Sequence, residues 1–139
     1  MIVVGIDPGP TTGFAWHRDG KAQERYELKE TDYASPRDHW SATTKAIQRV
    51  TSYRRNGEEF VVVVEDFQGI MHASEGVRTI KQLGYVTGAC EALDIQVEIA
   101  APQMRKACES FANDQISGTT HELAALSHAL CWYERNKEG

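Results

Sequence analysis

A chain of 139 residues with 41% hydrophobic and 25% charged residues fits a single globular domain, taken here as 1–139. Its net charge of −5 excludes a surface coated in positive charge that grips nucleic acid everywhere, while leaving room for a local basic groove. No apolar run approaches the roughly 20 residues of a membrane span, and MIVVGIDPGP has neither the basic start nor the cleavage site of a signal peptide.

The first apolar run, 2–6, is β-branched and reads as a buried strand that turns at Asp7-Pro8-Gly9. Two further strands, 14–17 and 22–28, flank Asp19-Gly20, a strong hairpin signal. Ser35-Pro36-Arg37-Asp38 opens a helix, with a cap, a proline at the first position and an acid in the first turn. Trp40, Thr43, Ile47 and Val50 continue it at helical spacing, and Asn56-Gly57 should end it.

The valine-rich run 60–64 suits a central strand buried on both faces, and it ends in Glu65-Asp66. After a loop from 67 to about 73, a second helix runs over 74–93. Gly84, Gly88 and Ala89 give it a small-residue face suited to close packing. A fifth strand follows at 95–100, then a short helix from Pro102 to about 110, and a polar loop over 111–120. Thr119 and Glu122 have the spacing of a capping box for the last helix. The order βββαβαβα, with a short extra helix, predicts an α/β fold. Its mixed five-stranded sheet has three antiparallel strands, then two parallel ones, with helices on both faces. Cys90, Cys108 and Cys131 show no CxxC spacing, which predicts reduced thiols in a cytoplasmic protein, with neither a disulfide framework nor a zinc site.

Asp7 and Glu65 each end a buried strand. If those strands are adjacent and parallel, both carboxylates emerge at one edge, where a carboxylate is costly to bury unpaired. The glycines of GIDPGPTTG suggest a backbone that comes close to something. Asp66 alternates to the other face. In HELAALSHAL, His121, Ala124 and His128 share one helical stripe, opposite Leu123, Leu126, Leu130 and Tyr133. With that stripe over the edge, position 124 points where a third carboxylate would complete a cluster. Two divalent ions about 3.5–4 Å apart need several carboxylates.

GIDPG followed by TG, the strand VVVVEDF, the segment APQMRK and the final HELAALSHAL, in this order, resemble the RuvC-like Holliday-junction resolvases. Their small phage and bacterial members match best in length. The resemblance covers nearly the whole chain and implies a ribonuclease-H-like fold. It implies a homodimeric endonuclease of DNA recombination and repair that cuts a four-way junction symmetrically, one strand per subunit. Its cofactor would be Mg2+, two ions in an intact site, with Mn2+ as a substitute. A phage-encoded member would work in the cytosol of the bacterial host.

Residue by residue, the resemblance makes Asp7, Glu65 and His121 catalytic metal ligands, with Asp7 bridging the ions. It expects an aspartate where this chain has Ala124. Alanine is the best helix former, so the substitution keeps the helix and removes the ligand. The chain as written is therefore expected to hold metal badly and to cleave slowly if at all. Glu122, about 100° around the helix from His121, is a poor replacement. Phe67 and Gln68 would touch the junction, with Phe67 placed to stack on an unpaired base. Arg78 and Lys81 would meet phosphates, and Lys106, with Arg105 beside it, would stand near the scissile phosphate. Arg49, Arg54 and Arg55 read as a solvated helix end. Two other readings stay open: a nuclease of relaxed specificity on other branched DNA or structured RNA, and a junction-binding protein without catalysis. The actin-like and sugar-kinase ATPases share a GID turn, but need a second domain and a second phosphate loop.

Overall fold

Five strands built from the apolar runs form one mixed sheet in the computed structural model, which describes residues 1–66 and 74–137. They are β1 (Ile2–Asp7), β2 (Thr11–Arg18), β3 (Lys21–Lys29), β4 (Phe60–Glu65) and β5 (Gln96–Ala100). The order is β3-β2-β1-β4-β5. The β1–β2 and β2–β3 pairs are antiparallel, and the β1–β4 and β4–β5 pairs are parallel. This is the α/β architecture expected from the element order.

Side chains alternate across each strand, so the sheet builds two cores. Ile2, Val4, Ile6, Phe14, Val62 and Val64 pack on one face with Ile47 and Val50 of α1 (Pro36–Thr51) and Val86 and Cys90 of α2 (Ser74–Ala92). Val3, Val61 and Val63 pack on the other face with Ala129 of α4 (Thr120–Asn136). Behind α4 lie a 3-10 segment, Pro102–Cys108, and α3 (Glu109–Gln115). Residues 124–131 of α4 are therefore buried all round. The polar side of its stripe is covered as fully as the leucine side.

Three boundaries differ from the sequence reading. β2 begins at Thr11, because Thr11 and Thr12 pair with Lys29 and Leu28 while Gly13 pairs with both Asp7 and Glu27. α1 stops at Thr51, because Arg18 holds the Tyr53 carbonyl and the Glu58 carboxylate and folds 52–59 back as turns. Residues 111–115, expected as loop, continue a helix that begins at Glu109. Ala112 is fully buried there, and Gln115 bonds the backbone of Ala22 and Gly20, so tertiary contacts override a turn-rich composition.

Two further expectations are corrected. Cys108 and Cys131 form a disulfide, with Cα atoms 5.6 Å apart, and only Cys90 is a free thiol. Residues 23 apart in sequence meet because α4 lies against the 102–108 segment, a proximity that motif spacing cannot reveal. The pairing removes the cysteine argument for a reducing compartment. Burial pushes the Cys90 thiol up to about 11. Among the described residues, the glycine face of α2 packs on nothing: a Cβ at Gly84 or Gly88 would meet none of them within 4 Å. No helix among the described residues is long and apolar enough to cross a membrane.

Candidate active site

The β1–β4 register places Ile6 beside Val64, so the next residues, Asp7 and Glu65, stand side by side at the carboxyl ends of two parallel strands. Both follow Val3 and Val63 in the alternation and face α4. That helix comes close because glycine lies beneath it. A Cβ on Gly5 would sit 1.8 Å from the Ala125 carbonyl oxygen, and one on Gly13 would sit 2.0 Å from that of His121. The close approach read from GIDPGPTTG is thus to the α4 backbone. A capping box starts α4, with Thr119 accepting from the Glu122 N–H and Glu122 from the Thr119 N–H. Glu122 is engaged there and lies 3.9 Å from Arg25.

The acids then take partners in pairs. His121 Nδ1 lies 2.9 Å from Asp7 Oδ2. His128 Nε2 lies 2.8 Å from Glu65 Oε1, and Arg105 Nη1 lies 3.0 Å from that same oxygen. Asp7 and Glu65 also hydrogen-bond each other. Burial, followed by the hydrogen bond to Glu65, raises the Asp7 carboxyl to about 7, although His121 opposes the shift. Burial also acts on Glu65, but His128, Asp7 and Arg105 together hold it below the usual carboxylate range.

Ala124 is 4% exposed and completes the stripe between His121 and His128. It lines a cleft of about 210 Å³ with Arg105, Glu109, Asn113, Thr120 and Leu123. Among the described residues, no group of three or more His, Cys, Asp or Glu side chains is arranged to hold a metal ion. Two divalent ions ask for several free carboxylates. Among the described residues this edge has two, Asp7 and Glu65, and both are already held by protein donors. The residues present do not fit a pair of divalent ions.

A second, uncharged network holds the turn after Asp7. Gln82 accepts from the Gly9 N–H at 2.8 Å and donates to Thr12 Oγ1 at 2.7 Å. Thr12 donates to the Gly9 carbonyl at 2.9 Å. His39 Nε2 lies 2.9 Å from the Leu28 carbonyl, which only accepts, so that nitrogen carries the hydrogen; it is 3.1 Å from Thr12 Oγ1. All three side chains are buried. The chain direction at Asp7 is therefore set from α1 and α2 as well as from the sheet.

The structure brings Asp7, Glu65, His121 and Ala124 to one edge. Arg105, read as a DNA contact, lies on Glu65 and 3.9 Å from Glu109. Arg78 lies 3.5 Å from Glu30, while Lys81 and Lys106 are exposed. Phe67 and Gln68 lie outside the described residues. His128, placed by the sequence on the same stripe but not among the metal ligands, reaches the edge through Glu65. Sequence reasoning missed the Thr12–His39–Gln82 network, whose members carry no common motif.

The chain is similar in structure to two Thermus thermophilus RuvC structures. One is RuvC in complex with a Holliday junction substrate: 20% identity, TM-score 0.77, covering 97% of this chain and 95% of that one. The other is a Thermus thermophilus RuvC structure: 19% identity, TM-score 0.73, covering 97% of this chain and 96% of that one. No family model matches the chain, and no curated protein matches it by sequence. The fold is thus the RuvC-like, ribonuclease-H-like one.

Proposed function

We propose that this chain is a structure-specific protein of branched DNA, built as a four-way-junction endonuclease and catalytically impaired by the alanine at position 124. The observation that carries the reading is the Asp7–Glu65 carboxylate pair at the open ends of two parallel strands, with His121 delivered onto it by α4 and a buried alanine one turn further on. A bare structural role is a poor account of this pair, since two adjacent buried acids raise each other's cost of ionisation. The likeness to a RuvC bound to a Holliday junction supports the choice of substrate.

The chain's own residues do limited chemistry in this reading. His121 orients Asp7, and His128 with Arg105 orients Glu65, so both carboxylates are held without freedom to rotate. Exposed Lys81 and Lys106 meet phosphates as positioning contacts. The magnesium pair implied by the resemblance would need the acid that position 124 lacks, so turnover as written is slow or absent. The remaining finer readings are a homodimer, with the open Gly84–Gly88 face as one place for close packing, and a site of action in recombination or repair.

Gel-shift binding of a labelled four-way junction against forks, flaps and linear duplex tests the reading. The expected result is preference for the four-way junction, weakening with salt as phosphate contacts require. Equal affinity for duplex and junction would overturn the assignment, while equal affinity for all branched forms would favour the relaxed-specificity alternative.

A further inference from the structure

The disagreement between the donor set and a pair of divalent ions has a specific source. Glu65 is not an open ligand. One of its oxygens, Oε1, is shared by Arg105 Nη1 at 3.0 Å and His128 Nε2 at 2.8 Å. Charge-assisted bonds of this kind are the strong ones, and the Glu65 side chain is only 13% exposed, so water screens them little. Arg105 reaches Glu65 from the segment behind α4, past the cleft that Ala124 lines. A guanidinium carries its charge at every ordinary pH. It is placed where a carboxylate at position 124 would otherwise compete for it.

We propose that Arg105 is the resident cation of this site: it satisfies Glu65 in place of a metal ion, so that the chain binds at most one divalent ion. This rests on the functional reading above. Arg105 acts through Glu65 and is therefore a positioning residue. His128, fully buried on the same oxygen, makes the arrangement two-sided.

Mn2+ binding to the full chain, read by electron paramagnetic resonance, tests the proposal without relying on cleavage. Four versions are compared: the chain as it stands, Arg105→Gln, Arg105→Lys, and Arg105→Gln with Ala124→Asp. Circular dichroism on each confirms the fold. The expected result is no more than one weakly bound ion for the chain as it stands, and binding about tenfold tighter in Arg105→Gln, the equivalent of one ion pair given up. Arg105→Lys should return the original weak binding, which loss of packing alone would not do. The double variant should bind two ions. Unchanged or weaker Mn2+ binding in Arg105→Gln, two ions on the unaltered chain, or no binding by any version would overturn the proposal. Junction binding on the same samples separates the claims. A chain that ignores the junction while Arg105→Gln tightens Mn2+ loses the functional reading and keeps this one.

Discussion

Asp7 and Glu65 occupy equivalent places at the ends of neighbouring parallel strands, yet their surroundings drive them apart. Among the described residues Asp7 has one outside partner, His121, and burial raises its carboxyl to about 7. Glu65 has His128 and Arg105, and it is held below the ordinary range. The fold puts both acids on one edge, and the helices and segments behind the sheet then decide what each is paired with. A carboxylate at a strand end is thus only half of a site; the other half is what the covering helix brings to it.

The comparison can be broken as a whole by lifting the covering helix. Gly13→Val drives a side chain into the His121 backbone, where even a Cβ would stand 2.0 Å from the carbonyl oxygen. Urea unfolding should show a loss of about 3 kcal/mol or more. The Glu65 half alone is broken by His128→Ala. This removes a fully buried partner and should cost about 3 kcal/mol by the same measurement, from the cavity and the weakened hold on a buried carboxylate.

Asp7→Asn sharpens the contrast, and it should stabilise the protein. The folded chain keeps the Asp7 proton up to about 7, against an ordinary value of 3.8. The stability this gives is fully present below 3.8 and is lost as pH rises through 7. In metal-free buffer at mildly alkaline pH, the asparagine variant should be more stable by on the order of 2 kcal/mol, with a flatter pH profile across that window. A variant less stable than the parent at alkaline pH would mean that Asp7 is not charged at a cost. The smallest effect is expected for Thr119→Ala, which removes the side-chain half of the capping box. It should cost about 1 kcal/mol and loosen the His121 end of α4 more than the His128 end. Amide hydrogen exchange along the helix reads that difference.

Much of this was legible from residue order. The alternation of apolar runs with turn signals carried the sheet, and the parallel placement of 2–6 and 60–64 put Asp7 beside Glu65. The capping box at Thr119 and the histidine stripe of α4 were also readable, because each depends on spacing within one element. What escaped depends on contact between elements distant in sequence. The Cys108–Cys131 disulfide, Arg105 on Glu65, and the Thr12–His39–Gln82 network each join segments that periodicity treats separately. His128 is the intermediate case. Its stripe was visible, but its partner was not, because the pairing with Glu65 follows only once α4 is laid across β4. The helical stretch at 111–115 escaped for a related reason: its local composition favours a loop, and its burial against α4 does not appear in its own sequence.

The central claim is that this edge is a junction-nuclease site one acid short. The most direct measurement is cleavage of a labelled four-way junction in magnesium by Ala124→Asp beside the chain as it stands, scored as paired nicks on opposing strands. The account predicts symmetric paired nicks from the aspartate variant at high magnesium, where the new carboxylate competes with Glu65 for Arg105 and frees Glu65 for an ion, and binding with little or no cutting from the parent. Tight junction binding by both with no product from either would contradict it, and would leave a junction-binding protein whose Asp7–Glu65 pair serves the fold.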